Sequence, residues 1–512
     1  MKIVILGGGT VGWLAAYYFR KRHPLDEVTV IESSKIGVIG AGESTTTNFL
    51  PFLNYLQIEP IELTKKTGGT FKTGTRFKNW NGDNNEYYNV ITPWVSELSP
   101  SGYAEYNNVS DVDAKVYCQL VEDHFPMHLF GANNLLTKNF TPFYATENRT
   151  IAELSKYTVN IDGTKFSQYL RNFRKARNVK LIDGIISSFE RDGSNNISEV
   201  ILEDGTKISA DIIIDCSGFS RLTAKEYSTP WISYKKYLPI DSTIPFFLKP
   251  GRDIPAFVDI IALKYGWSFK IPMQNRFGSG YNFSSQYTDW DSARKEIEQY
   301  LGHDVDVIKK ISYESGHYEK CWYNNCISLG MASGFLEPMA ASNISTAIEV
   351  LKKINLRKFM SGDTSQRDMV NKEYLLLNEI FLNNVYFRYI TKRKDTDFWK
   401  SFSIDNAPES LKTIVNKFID TKDFIGFCND MHQSPIIWLA ALDGLKIPEY
   451  DKALSKFRSE ARDVNTIRLV NRIQAEAQKF ANKMIPQRDF FDLDIMYISP
   501  DFNTPIDSSY VN

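Results

Sequence analysis

Cysteine is scarce and odd in number. Five thiols, Cys118, Cys216, Cys321, Cys326 and Cys428, are spread over 512 residues. Such usage excludes a disulfide framework and points to reduced thiols in a cytosol-like compartment. Cys321 and Cys326 are too widely spaced for a CxxC knuckle and no histidine pair follows them, so no metal site is expected. Net charge is nearly absent as well: 60 Lys and Arg balance 61 Asp and Glu to leave −1. The basic residues are not clustered, which removes any bulk pull toward nucleic acid or an anionic membrane. No apolar run approaches the ~20 residues of a membrane-spanning helix. What the chain does have is aromatic surface, 33 Phe and 27 Tyr, which suits large cores and flat-ligand pockets equally. Hydrophobic content of 43% and 24% charge are globular values. The length exceeds a single core, so two domains, or one composite body with a large insertion, are expected.

The N-terminus, MKIVILGGGTVGWLAAYYFRKRHP, has the lysine, apolar stretch and alanines of a signal peptide, but three glycines interrupt the apolar run. It reads better as a strand (KIVIL), a turn (GGGTVG), a helix (VGWLAAYYFRKRH) and a second strand (EVTVIES). Gly7, Gly9 and Gly12 fit GxGxxG, and Glu32 lies twenty residues beyond Gly12. These glycines permit a tight turn, close approach of a pyrophosphate and helix–strand packing. The helix N-terminus favours phosphate, and Glu32 can accept from a ribose hydroxyl. The alternative is a glycine-rich structural turn. Two later segments, ADIIIDCSGFSRL (210–222) and CISLGMASGFLEP (326–338), are buried strands running into small residues. Three such junctions far apart in sequence suit FAD, cradled by the whole chain, better than NAD.

Two further stretches carry patterns. YGWSFKIP (265–272) reads as a strand with Trp267 and Phe269 on one side, and Pro272 either ends the pairing or marks an edge. By composition it is a packed core strand. TFKTGTRFKNW (70–80) alternates, placing Phe71, Thr73, Thr75 and Phe77 on one face and Lys72, Arg76 and Lys78 on the other. That pattern predicts a solvated basic face for Lys72. Beyond about residue 350 the apolar residues recur at helical spacing, in STAIEVLKKI, MVNKEYLLLNEIFLNNVYFRYI, ESLKTIVNKFI and VNTIRLVNRIQAEAQKFANKM.

In order, GGGTVG, GAGEST (40–45), FKTGTRFKNW, IDCSGF (214–219), YGWSFKIPMQNRFGSGY (265–281) and GFLEPMAASNI (334–344) resemble the flavin-dependent halogenases of the tryptophan-halogenase family, its phage-encoded members included. The resemblance implies an α/β (α+β) FAD-binding fold of the glutathione-reductase/hydroxylase type. Residues 1–350 would form the FAD-binding box with inserted substrate-side strands, and residues 351–512 a helical part capping the substrate pocket. FAD would lie along Gly7, Gly9, Thr10, Val11, Gly12 and Glu32, with Gly42, Glu43, Ser44, Gly330 and Gly334 completing its site. The family's Trp-x-Trp-x-Ile-Pro motif stands here as Trp267, Phe269, Ile271 and Pro272, a wall that keeps the substrate from the flavin. Phe269 retains the bulk and loses the indole N–H.

Lys72 matches the family lysine at the far end of that passage, where an amine hydrogen-bonds hypohalous acid or forms a haloamine. Ser342 and Asn343 match the positions whose backbone N–H groups hold the halide, with Asn343 expected to accept positive φ. Ala340 stands where the family's catalytic glutamate would be, and Met331 where an aspartate contacts the flavin in many related flavoproteins. The implied activity is FADH2- and O2-dependent halogenation of an electron-rich arene by electrophilic substitution, with reduced flavin from a separate reductase. Bromide or iodide is expected over chloride. The substrate-gripping residues of the tryptophan-specific enzymes have no match between Trp399 and Trp438, which implies a more open pocket for phenols, indoles or anilines. The implied setting is cytoplasmic, or the host cytoplasm for a phage-encoded protein, and a homo-oligomer is compatible with it. An aromatic hydroxylase of the flavin-monooxygenase class and a non-catalytic flavin-binding homologue are the alternatives.

Overall fold

The computed structural model describes residues 1–37, 42–91, 111–122, 139–145, 151–153, 156–481 and 484–492. The chain opens with strand Lys2–Leu6, helix Thr10–Arg22 and strand Glu27–Glu32, as its local pattern predicts. Ile3, Val4, Ile5 and Leu6 are all buried, because a parallel sheet is covered on both faces. Six strands form that sheet in the order Lys180–Asp183, Glu27–Glu32, Lys2–Leu6, Ile212–Asp215, Cys326–Ser328 and Trp322–Tyr323. The first five are parallel. Leu6 lies opposite Asp215, and Asp215 opposite Ser328. Three strands therefore end level, and the glycine turns that follow them emerge side by side at the carboxyl edge, where such sheets bind ligands.

A second sheet of seven strands carries the aromatic motif. Gly266–Pro272 lies between Phe257–Leu263 and Phe277–Phe283, antiparallel to both. It is an interior strand, so Pro272 does not mark an edge. As the last residue, opposite Phe277, it ends the pairing, and its carbonyl accepts from Thr70 Oγ1 at 2.7 Å.

The 70–78 stretch departs from its sequence reading. It is two strands in two sheets: Thr70–Lys72 pairs with Thr158–Ile161, and Gly74–Lys78 joins the seven-stranded sheet. Thr73 is the break, since its backbone N–H (2.8 Å) and Oγ1 (3.1 Å) both donate to the carbonyl of Ala256. Lys72 and Arg76 thus share no face. Arg76 pairs with Asp259, and Lys72 is half-buried.

From residue 350 the described chain is almost wholly helical, with Ser365–Tyr389, Glu409–Thr421, Pro435–Leu445 and Val464–Ala481 as main helices. These do not build a separate core. Tyr389, Trp399, Trp438 and Phe457 share one buried cluster with Phe77, Trp80, Trp267, Phe269 and Ile271 of the seven-stranded sheet region. Among the described residues no helix is long and apolar enough to cross a membrane. All five cysteines are free thiols.

The segment after the last long helix returns to the strand that carries Lys72. Gln487 is fully buried. Its Oε1 accepts from the N–H of Phe71 at 2.6 Å, and its Nε2 donates to the carbonyls of Pro255 (3.1 Å) and Ile254 (3.3 Å). Phe490 and Phe491 then pack on the Phe71 ring, at centroid distances of 5.2 and 5.4 Å. Replacing Gln487 with Leu orphans a buried N–H and should cost about 2 kcal/mol of stability. Urea unfolding reads this as a lowered midpoint, and an unchanged midpoint refutes the staple.

Candidate active site

The cofactor cradle is defined by what its glycines touch. Gly7 has φ +104, and a Cβ there would lie 2.5 Å from the carbonyl oxygen of Cys216, so the first turn is pressed against the second junction. A Cβ on Gly12 would lie 1.9 Å from the carbonyl oxygen of Gly7, which lets the helix start directly on the turn. Gly9 differs: nothing lies within 4 Å of its Cβ position, and its φ of −77 suits any residue. The third junction closes the ring, since a Cβ on Gly330 would meet Val11 Cγ2 at 3.1 Å. Met331 reaches within 3.7 Å of the corresponding position at Gly218. The three glycine junctions, far apart in sequence, touch one another, and the Cβ position of Gly9 faces open space.

Glu32 ends the second strand next to Gly8. It pairs with Arg171 at 3.0 Å. Burial raises its pKa and the guanidinium opposes that rise. Thr10 Oγ1 donates to Glu43 Oε1 at 3.1 Å, and burial pushes the Glu43 carboxyl up to about 7 against that hydrogen bond. These residues fit a dinucleotide: a helix N-terminus, an open glycine and an acidic group at the ribose end. Gly334 is accounted for otherwise, because a Cβ there would lie 2.6 Å from that of His317 on the paired strand.

Lys72 sits on the other side of the Glu43–Ser44 strand. Its Nζ donates to Ser44 Oγ at 2.8 Å and to the carbonyl of Thr45 at 3.3 Å. Burial alone lowers its pKa to about 8, and no carboxylate pairs with it among the described residues. An ammonium has three donors, so one remains for a ligand once those two bonds are made. Ser44, expected beside the flavin, is the lysine's hydrogen-bond partner. Of the GAGEST segment, residues 40 and 41 lie outside the described residues.

Trp267, Phe269 and Ile271 point to one side of their strand and are 1%, 8% and 7% exposed. The two rings stand 6.2 Å apart at 59°. Ile271 Cγ2 lies 3.9 Å from the Cβ position of Gly42, and Pro272 is bonded to Thr70. One end of the aromatic row is therefore fixed to the two segments that hold Lys72. At the other end the indole N–H of Trp267 donates to the hydroxyl of Tyr389 at 2.8 Å, and that hydroxyl donates to Glu337 Oε1 at 2.7 Å. Sequence reasoning found no role for Glu337 and missed Tyr389, which reads as one more apolar position at a helix end.

The expected halide turn is Pro338–Ala340 followed by the twelve-residue helix Ser342–Lys353. The left-handed residue is Ala341 (φ 50, ψ 34), not Asn343, which is already helical. The chain must reverse between the two helical segments, and it does so at 341. Ser342 and Asn343 then occupy the first turn, whose N–H groups have no intrahelical acceptor and suit an anion. Asn48 Nδ2 donates to Ser345 Oγ at 3.2 Å and to Glu349 Oε1 at 2.8 Å, tying this helix to the segment that follows Ser44.

A parallel sheet whose central strands end in three converging glycine turns, joined to a second sheet and a helical region, has the FAD-binding α/β architecture. Residues 2–459 match the family model for tryptophan halogenase, and the chain belongs to that family of flavin-dependent halogenases. Tryptophan 6-halogenase SttH of Streptomyces toxytricini is 25% identical over 445 residues, covering 81% of this chain and 83% of that protein. Tryptophan 7-halogenase RebH of Lentzea aerocolonigenes is 27% identical over 429 residues, 78% of each. Among solved structures, SttH superposes with a TM-score of 0.83 at 22% identity, over 96% of this chain and 99% of that one. Xcc4156, a flavin-dependent halogenase from Xanthomonas campestris, gives 0.79 at 23%, over 96% and 97%.

Two glycine variants test the cradle. Gly9→Ala should fold with an unchanged melting temperature yet bind FAD at least about tenfold more weakly, as read by flavin fluorescence. Gly12→Ala should lower the melting temperature, because its methyl collides with backbone. Normal FAD affinity in Gly9→Ala would show that no pyrophosphate passes there.

Proposed function

We propose that the chain uses FADH2 and O2 to halogenate an electron-rich aromatic substrate by electrophilic substitution, with Lys72 delivering the halogen. The observation that supports this best is the position of Lys72. It is half-buried, bonded to Ser44, and lies where the Trp267–Pro272 strand meets the Glu43–Ser44 strand whose other side touches the glycine turn. When bound, reduced FAD and dioxygen supply the oxidising equivalent that turns a halide into hypohalous acid.

The residues of the chain do the rest. The first turn of the Ser342–Lys353 helix holds the halide through backbone N–H groups. Trp267, Phe269 and Ile271 keep an arene out of the cofactor space, while a triatomic acid can pass. The Lys72 ammonium donates to the oxygen of hypohalous acid, so that oxygen leaves as water while the halogen goes to the ring. Residue 340 is alanine and supplies no base, which restricts the reaction to rings activated enough to lose their proton to solvent. The same loss of charge and bulk favours bromide or iodide over chloride. A flavin reductase supplies the reduced cofactor. A hydroxylase reading leaves both the aromatic row and Lys72 without a task.

Mass spectrometry with reduced FAD, oxygen and an activated phenol or indole decides between these. Product should appear only with added halide, more from bromide than from chloride in competition. Lys72→Ala should lose it by a factor of about 100 or more while still binding FAD. Oxygenated product without halide would establish the hydroxylase instead.

Lys72 also sets a pH dependence. Its ammonium is present below about 8 and is lost above it. With an arene that does not ionise, the halogenation rate should fall as pH rises through about 8. A rate that climbs there instead assigns transfer to the neutral amine, through a haloamine.

A further inference from the structure

Glu337 is a carboxyl group buried where nothing neutralises it. It is 1% exposed, and no lysine, arginine or histidine pairs with it among the described residues. Oε1 accepts from Tyr389, while Oε2 is enclosed with no donor at hydrogen-bonding geometry. An orphaned buried polar atom costs stability, and an isolated buried carboxylate costs more. Burial raises the pKa to about 8, against the hydrogen bond from Tyr389. Stability alone would favour leucine at this position.

The hydrogen bonds around it run in one direction. An indole N–H can only donate, so the Tyr389 oxygen accepts from Trp267 and its own O–H must go to Glu337 Oε1. Tyr389 has little freedom to do otherwise. It is fully buried at the end of the Ser365–Tyr389 helix. Its ring stacks on Phe402 at 4.4 Å and 13°, with Phe398, Trp80 and Trp399 around it at 6.1, 5.9 and 5.9 Å. Phe269 has no polar atom, and its ring is set by lying over Gly280, where a Cβ would come within 2.7 Å. One ring of the aromatic row is thus held by shape and the other by a hydrogen bond whose orientation Glu337 dictates.

We propose that Glu337 is a positioning residue for the aromatic wall: through Tyr389 it fixes the indole of Trp267 and so keeps the passage closed to an arene. The functional half of this rests on the halogenase reading above; the link from Glu337 to Trp267 does not.

Fluorine NMR of protein labelled with 5-fluorotryptophan reads that link without any turnover. The Trp267 resonance is assigned by its loss in Trp267→Phe. Glu337→Leu and Tyr389→Phe should shift or split it while the remaining resonances from the nine tryptophans stay in place. Glu337→Gln, whose amide carbonyl can accept the same bond, should restore the wild-type line. Tyr389→Phe keeps the test decisive should the leucine variant fold poorly. A Trp267 line unmoved in both variants overturns the proposal. In turnover, the two variants should lose about tenfold of halogenated product and gain halide-independent oxygenated product. If the resonance moves as expected and this product change does not follow, the positioning stands and the barrier reading fails.

Discussion

The strand Gly266–Pro272 is hydrogen-bonded on both sides, and this double pairing is the constraint on which the site depends. Side chains in a strand alternate, so a slip of one residue would turn Trp267, Phe269 and Ile271 out of the core and Lys270 into it. Burying each large apolar side chain is worth roughly 1.5–3 kcal/mol, so the correct register is favoured by far more than any single hydrogen bond in the neighbourhood. The row of side chains is placed by folding itself. The contacts that define the rest of the site are made against it: Thr70 on Pro272, the Gly42 segment on Ile271, and Tyr389 on Trp267.

The two-residue strand Glu43–Ser44 performs the complementary division. Consecutive strand residues face opposite ways, so Glu43 reaches Thr10 at the dinucleotide turn while Ser44 reaches Lys72. Burial moves both Glu43 and Lys72 toward neutral pH, to about 7 and about 8, from opposite directions. Neither titrates through contact with the other. Each is tuned by low dielectric surroundings on its own side of the Glu43–Ser44 strand.

What the sequence made legible is what is local. The strand–turn–helix–strand start follows from adjacent residues, and the structure reproduces it. The other two glycine junctions could be seen individually, but their meeting at Val11 and Met331 is a property of sheet order. Lys72 shows the limit of periodicity. An unbroken alternation over residues 70–78 concealed a change of sheet at Thr73, because nothing in the threonine itself signals that Ala256 will take both its donors. Pattern put Lys72 on a solvated face, whereas it is half-buried and bonded to Ser44. At the turn expected to hold the halide, the left-handed residue is Ala341, two positions before Asn343. Tyr389 and Gln487 were invisible, since their partners lie 52 and 122 residues away in one case and 416 in the other. A polar side chain in an amphipathic helix or a C-terminal segment carries no mark of such a contact. The change to helices near residue 350 was also legible, yet the largest core runs through that point, because helices without a partner sheet would leave their apolar faces bare.

The aromatic row is asymmetric in how it is held, and that asymmetry bears on selectivity. Phe269 lies against Gly280 and is confined by contact, since a Cβ at that glycine would come within 2.7 Å of its ring. Trp267 is confined by direction, because its indole N–H has one acceptor at a fixed place. In the proposed barrier one ring is held by packing and the other by a hydrogen bond, so different substitutions would loosen each. Under the proposed function, with alanine at 340, discrimination between halogenation and direct oxygen transfer would fall on this geometry and on the charge of Lys72. On that proposal the chemistry at the ring would follow the substrate's own reactivity, because no carboxylate at 340 is there to take its proton.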